Sequence, residues 1–453
     1  MIECKDSLEF LKERQDYEND IIFADPPYAL GSEIMIRPDG KVDYKKAADF
    51  MGKWDMPTGD WWEQWFKEAF RSLKHGGYCI LYGVDRQLLL FKYYAALAGF
   101  IEQQSLYWAF LSNFPKSVDL SKMLDKHYGC EREVIGKCFD GKGSDSGSGI
   151  YAMNNGESNL GKEYDITAPS HELAKKYDGY KYSISPLKQT NETVMVFQKP
   201  YKSGSCLHDT LAYENGDNTC CCGALNIDGN RVATDEELGR QQDKSPLPPE
   251  KGFNNNSIGG KFQAGNPAGR FPAQTLVDSK MAKALDNQTD SADGASKLLH
   301  ICDFESDELE LYYYEPKVSK NERDAGLEEL DPTNANRNKA ALTAVENREA
   351  SSKNPHPTLK PLSLNFRILS LFKTPNPQRI CFPFAGSGSE VIGGIKAGFT
   401  DWTACELSQE YVDIAMKRIE YYSKGAPERK VIKAVDADGN EKKVIVEQLD
   451  MFE

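Results

Sequence analysis

The chain has 453 residues, a net charge of −14 and 11% aromatic residues, which is long enough for a large core and too aromatic for a disordered polymer. The charge argues against indiscriminate nucleic-acid binding and leaves room for a local basic channel. No apolar run is long enough to span a bilayer, and the start MIECKDSLEF lacks a signal-peptide pattern.

The 11 cysteines include no CxxC pair, so reduced cytoplasmic thiols are expected and a metal site at Cys220-Cys221-Cys222 is not. In chain order, Asp20 to Ala24 reads as a short buried strand ending on DPPY, Asp25 to Tyr28. Asp60 to Lys74 carries Trp61, Trp62, Trp65, Phe66, Ala69, Phe70 and Leu73 at helical spacing, which makes the tryptophans core residues rather than base-stacking ones. Gly76-Gly77 should end that helix before a strand over Tyr78 to Tyr82. A helix over Arg86 to Ala98, closed by Gly99, and a strand over Glu102 to Leu111 complete an α/β alternation.

From about Phe139 the texture changes. Asp140 to Gly149 is Gly/Ser-rich, Thr193 to Gln198 returns to strand character, and Ser245 to Ala268 is loop-like. After Pro355 the alternation resumes, with strands over Arg379 to Phe382 and Trp402 to Cys405 and helices over Ser389 to Ala397 and Ser408 to Tyr422. The chain thus reads as one α/β domain written in two pieces around a long irregular middle.

Two segments carry chemistry. DPPY at a strand tip is either a rigid turn, because proline fixes φ, or a site, because such tips face the ligand crevice of a parallel sheet. FPFAGSGS, Phe382 to Ser389, lies between a strand and a helix, and its small residues Ala385, Gly386, Ser387 and Gly388 let backbone approach a ligand. Glu406 ends the next strand, where a carboxylate can accept two ribose hydroxyls. The loop has no GxxxxGK[ST] lysine, which favours an adenosine-bearing cofactor over a nucleoside triphosphate.

DPPY followed much later by FAGSGS resembles the β-class of S-adenosylmethionine-dependent DNA amino-methyltransferases, in the phage and prophage style. Further matching segments stand in family order: LKHGGYCILYG at Leu73 to Gly83, NFPKSVDLSKMLD at Asn113 to Asp125, YDITAPS at Tyr164 to Ser170, GALNIDGNRV at Gly223 to Val232, GRFPAQTLVD at Gly269 to Asp278 and HPTLKP at His356 to Pro361. One departure is Phe382, where the family usually has an Asp that helps hold the methionine end of the cofactor.

The resemblance implies a Rossmann-like domain with a mixed, mostly parallel sheet, permuted motif order and an inserted target-recognition region. Its parts are expected at 1–200 (catalytic half, with a loop insertion at about 139–190), 201–354 (target recognition), 355–424 (cofactor half) and 425–453 (hairpin and tail). Asp25, Pro26, Pro27 and Tyr28 would be catalytic; Thr358, Lys360, Phe384, Ala385, Gly386, Ser387, Gly388 and Glu406 would bind S-adenosylmethionine; Lys116, Ser117, Lys122 and Arg270 would touch DNA. The substrate would be double-stranded DNA with a flipped adenine, methylated at N6; cytosine-N4 and a non-catalytic DNA-binding relic, suggested by Phe382, are the alternatives. No Pro-Cys pair exists for cytosine-C5 chemistry. The ending EQLDMFE resembles peptides that bind the replication sliding clamp, with Gln448, Leu449, Met451 and Phe452 as anchors; packing on its own domain is the alternative.

Overall fold

The computed structural model describes residues 2–29, 33–45, 57–111, 116–139, 163–234, 239–240, 263–264, 266, 268–288, 294–302, 320–327, 329–330, 353–354, 356, 359–424, 428–435 and 441–448. Its contacts divide the chain into two units: one of 1–109, 192–303 and 361–419, the other of 110–191, 304–360 and 420–453.

The first unit is built on β1 (Ile2–Cys4), α1 (Ser7–Lys12), β2 (Asn19–Ala24), α2 (Gly59–Ser72), β3 (Leu73–Gly83), α3 (Asp85–Ala98), β4 (Leu106–Ala109) and β5 (Asn191–Gln198). It continues with β6 (Thr275–Val277), β7 (His300–Ile301), α4 (Leu362–Phe372), β8 (Arg379–Phe382), α5 (Ser389–Lys396), β9 (Asp401–Glu406) and α6 (Gln409–Ser423), whose end crosses the boundary of the unit. The sheet order is β1-β9-β8-β2-β3-β5-β4-β6-β7, with Ile101–Glu102 pairing beside β5. The pairs β1–β9, β8–β9, β2–β8 and β2–β3 are parallel, and β5 is antiparallel to β3, so the sheet is mixed and mostly parallel.

The two-residue period of the strands sorts their side chains onto two covered faces. Ile22 and Ala24 of β2 and Cys79 and Leu81 of β3 share a core with Leu8 and Phe10 of α1, Trp62, Trp65 and Phe66 of α2, and Leu90 and Phe91 of α3. On the opposite face, Tyr82, Phe23 and Phe382 form a row across three neighbouring strands, with ring centroids 5.5 and 6.4 Å apart. That row lies under α4 and α5: the Tyr82 hydroxyl donates to Asn365 of α4, and the missing Cβ of Gly394 in α5 leaves the space taken by the Phe382 ring.

Three expectations need correction. Gly76-Gly77 do not terminate α2; Leu73 leaves the helix in extended geometry, and the glycines lie inside β3. Gly76 has φ +82°, and a Cβ there would meet the Cys221 carbonyl at 2.9 Å, so the position suits glycine in a strand whose register shifts against β2. The strand expected over Glu102 to Leu111 is two short ones, 101–102 and 106–109. Finally, β6 and β7 come from the stretch assigned to target recognition, yet they extend the central sheet in parallel with β4.

The second unit contains two antiparallel pairs, Lys116–Asp119 with Lys181–Ser185 and Glu133–Phe139 with Glu163–Ala168, and the helix Leu120–His127. Asp125 is its buried hub, accepting from the Ser170 and His171 N–H groups and from Arg132, which also bonds Ser121 and Thr167. Burial works to raise the Asp125 pKa, but the His171 and Ser170 N–H groups and Arg132 outweigh it and hold the carboxyl below its usual range. Segments NFPKSVDLSKMLD and YDITAPS, quoted as motifs, therefore meet through this carboxylate. The antiparallel hairpin Glu428–Val435 and Glu441–Gln448 closes the described chain.

Among the described residues no helix is long and apolar enough to cross a membrane, and no group of three or more His, Cys, Asp or Glu side chains could hold a metal ion.

Candidate active site

The chain runs from β2 to β3 on one side of the sheet and from β8 to β9 on the other, so its order reverses between β2 and β8. In an open parallel sheet the crevice at the carboxyl ends of such a strand pair receives the ligand. Ile380 and Cys381 of β8 pair with Ile21 and Ile22 of β2, which sets Phe382 level with Phe23. DPPY and FAGSGS therefore leave neighbouring strands at one edge, although more than three hundred residues separate them.

On the β2 side, Asp25 is half-buried, Pro26 buried and Tyr28 only 8% exposed. Burial first, then the Asp25 and Glu192 carboxylates, push the Tyr28 hydroxyl well above its ordinary pKa, so it stays protonated. Ala29 has φ +47°, a left-handed conformation that is strained for a residue with a Cβ. The Pro27 carbonyl accepts from the Gln87 side-chain amide at the start of α3. No described residue donates to the Pro26 carbonyl.

On the β8 side, the Ala385 N–H donates to the Cys405 carbonyl (2.9 Å) and the Cys405 thiol to the Pro383 carbonyl (3.2 Å), tying the loop to β9. The Gly386 N–H donates to one Glu406 oxygen at 2.9 Å, and the Ser408 N–H donates to the other at 3.0 Å. Of the roughly four acceptor sites of the carboxylate, three serve the Gly386, Ser408 and Leu407 N–H groups, which leaves about one for a further donor. Burial pushes the Glu406 carboxyl above its usual value despite the opposing bonds from Ser408, Gly386 and Leu407. Gly386 and Gly388 have φ +50° and +88°, and Gly388 opens α5 from the left-handed region.

Beneath the loop the fully buried Arg418 of α6 donates to the Ser387 carbonyl (2.6 Å) and to the hydroxyls of Ser387 and Ser389 (3.1 and 3.2 Å). Sequence reasoning missed Arg418, which reads as one more polar residue in a surface helix. It also missed Gln87, which stands in a helix with no motif of its own. Phe384 is half-exposed and stacks on Trp65 at 5.9 Å, so it joins the tryptophan core expected from helical spacing and still borders the loop.

The other expected site residues fall in both units or outside the described residues. Lys360 is buried and belongs to the second unit, and Thr358 lies outside the described residues. Lys122 is exposed in the second unit, whereas Ser117 there is buried at 7%, which withdraws its hydroxyl from a phosphate-facing surface. The Lys116 backbone forms a strand with Ser185, and Arg270, in the first unit, bridges Val232. Gln448 ends the last hairpin strand, and Leu449, Met451 and Phe452 lie outside the described residues.

A doubly wound sheet with a glycine-rich turn, an acidic strand tip and a proline-stiffened loop at one switch point belongs to the Rossmann-like cofactor-binding folds. Within that class, the N6_N4_Mtase family, described as DNA methylase, matches residues 19–417, and the chain belongs to it. The family's methyl donor is S-adenosylmethionine. The chain is 32% identical over 81 residues to Type II methyltransferase M.BamHI of Bacillus amyloliquefaciens, a match spanning 18% of this chain and 16% of the length of that relative.

Among solved structures, M1.HpyAVI with SAM aligns over 92% of this chain and 98% of its own at 11% identity and a TM-score of 0.34. TTHA0409 of Thermus thermophilus, complexed with S-adenosyl-L-methionine, aligns over 94% of this chain and 96% of its own at 11% identity and a TM-score of 0.34. The cytosine-N4-specific PvuII DNA methyltransferase aligns over 91% of this chain and 84% of its own at 12% identity and a TM-score of 0.37. At such scores these likenesses add nothing to what the sheet order defines.

Proposed function

We propose that this chain methylates the exocyclic N6 of a flipped adenine in double-stranded DNA, with Asp25 to Tyr28 as the catalytic loop. The observation that carries this reading is the placement of DPPY and the glycine-rich loop at the carboxyl ends of paired strands β2 and β8. The donor set fits an adenosine-bearing ligand: the acceptor site left on the Glu406 carboxylate can take a ribose hydroxyl, and the half-exposed Gly386 offers close backbone approach. S-adenosylmethionine supplies a methyl group already activated on a sulfonium.

The chain's residues have to prepare the acceptor. An aryl amine is a poor nucleophile because its lone pair is delocalised into the ring. Asp25 and the Pro26 carbonyl can accept its two hydrogens and favour a pyramidal nitrogen whose lone pair is free for attack. The prolines fix the direction of that carbonyl before the base arrives. The amine nitrogen would gain positive charge on methylation, which the Asp25 carboxylate would stabilise until a proton departs to solvent. Tyr28 lends its ring to the pocket of the extruded base.

Adenine is favoured over cytosine by Asp25, since Ser is the commoner residue there in cytosine-N4 members of the resembled family. Transfer of labelled methyl to duplex DNA, followed by nucleoside digestion, tests both levels. N6-methyladenine is expected, N4-methylcytosine overturns the target base, and no incorporation overturns the reading.

A further inference from the structure

Gln87 stands in the first turn of α3, fully buried, and its side-chain amide N–H donates to the Pro27 carbonyl. Its other amide atom, Oε1, is buried and accepts no hydrogen bond from the described residues. A buried acceptor without a donor costs about 1–3 kcal/mol, a penalty that an apolar side chain of equal volume would avoid. Packing alone therefore does not account for an amide here, and among the described residues its side chain bonds only the loop.

That bond reaches a segment that holds one of the two described non-glycine residues at positive φ. Ala29, two residues on, is 1% exposed and held at φ +47°. Such a conformation persists only where surrounding contacts over-determine it. The Gln87 bond also divides the labour of two adjacent carbonyls: that of Pro27 is occupied, and that of Pro26 is left for an incoming donor.

We propose that Gln87 is a positioning residue for methyl transfer, which ties down the Pro27 carbonyl so that Asp25 and the Pro26 carbonyl face the target amine together. The inference rests on the methyl-transfer reading above for its catalytic consequence, but the tie itself can be tested without turnover.

Gln87→Met keeps the volume and removes the donor. It should lower kcat about 100-fold, the loss associated with small misplacement of reacting groups, with KM for S-adenosylmethionine and DNA affinity within about 2-fold of wild type. Gln87→Glu keeps the shape and presents a carboxylate to the carbonyl. It should be equally slow at neutral pH and recover as pH falls, because a protonated carboxyl donates an O–H where the amide donated an N–H, and burial brings that protonation above the usual carboxylate range. In both variants at neutral pH, hydrogen exchange of the Tyr28 and Ala29 amides should speed up at least about 10-fold.

Wild-type kcat in Gln87→Met, or a loss no larger than its loss of cofactor binding, overturns the proposal. So does a Gln87→Glu profile parallel to wild type. If the wild-type chain transfers no methyl group, the functional reading fails alone, and the exchange measurement still decides the tie: unchanged exchange overturns it.

Discussion

Asp25 was legible in the sequence as an acidic residue at a strand tip, and the structure adds what the tip faces. β2 places it one residue past Ala24, which pairs with Leu81, so it stands beside Tyr82 at the crevice edge. Asp25→Ala removes the acceptor and leaves the glycine-rich loop untouched. Methyl transfer should fall by about 10²–10³-fold, with S-adenosylmethionine affinity within a few-fold of wild type by calorimetry. Full activity in that variant would remove Asp25 from the mechanism. Glu406 was expected from the sequence as a ribose acceptor; its hold on the Gly386 N–H was not legible, because a backbone contact leaves no mark in residue order. Its pKa is raised, so protonation begins at a higher pH than for an ordinary carboxyl. Cofactor binding needs the ionised form as acceptor, so affinity should fall with acidification already above pH 4.5, the ordinary value for Glu. Glu406→Gln should bind about 10–100-fold more weakly, the range for losing a charged hydrogen bond of about 1.5–3 kcal/mol. Its profile should be flat through that window; titrating affinity against pH in both proteins checks this.

At the scale of elements, helical and strand periods gave β2, α2, α3, β8, α5, β9 and α6 to within about three residues at either end. What periodicity could not give was termination by backbone geometry: Gly76 and Gly77 look like a helix stop and serve as a kink inside β3. Nor could it show which helix holds the cofactor loop. Arg418 lies on α6, thirty-one positions beyond Ser387, and its guanidinium joins that loop to the core. All three bonds leave one nitrogen, Nη1, which sits one bond farther along its side chain than a lysine Nζ, so lysine falls short of the same acceptors. Arg418→Lys should therefore lower stability by about 1–3 kcal/mol in urea unfolding. S-adenosylmethionine affinity should fall about 10-fold through the loosened loop, with less effect on turnover at saturating cofactor. Affinity equal to wild type would show that the loop keeps its form without the guanidinium.

For the whole molecule, the sequence suggested an α/β domain in two pieces, whereas the unit that carries the sheet draws on three segments, 1–109, 192–303 and 361–419, because strands tolerate long excursions between them while parallel pairing restores their order. It did not reveal which middle segments return to the sheet. β6 and β7 are only three and two residues long, too short for any period, yet they join the edge beside β4. The last residues offer the converse, a resemblance carried by residue order alone. In the last described hairpin Gln448 pairs with Glu428. The sequence continues with LDMFE. A segment with Leu449, Met451 and Phe452 at its end suits an apolar groove, where spaced apolar side chains supply the anchors and the chain's neighbours stay polar. We propose that this ending binds a bacterial sliding clamp. Deleting Gln448 to Glu453 should abolish retention on immobilised clamp while leaving methyl transfer to a short duplex within about 2-fold, since the deletion touches neither β2 nor β8. Retention unchanged by the deletion would return the segment to its own domain, and loss of transfer on the short duplex would tie it to the catalytic fold instead.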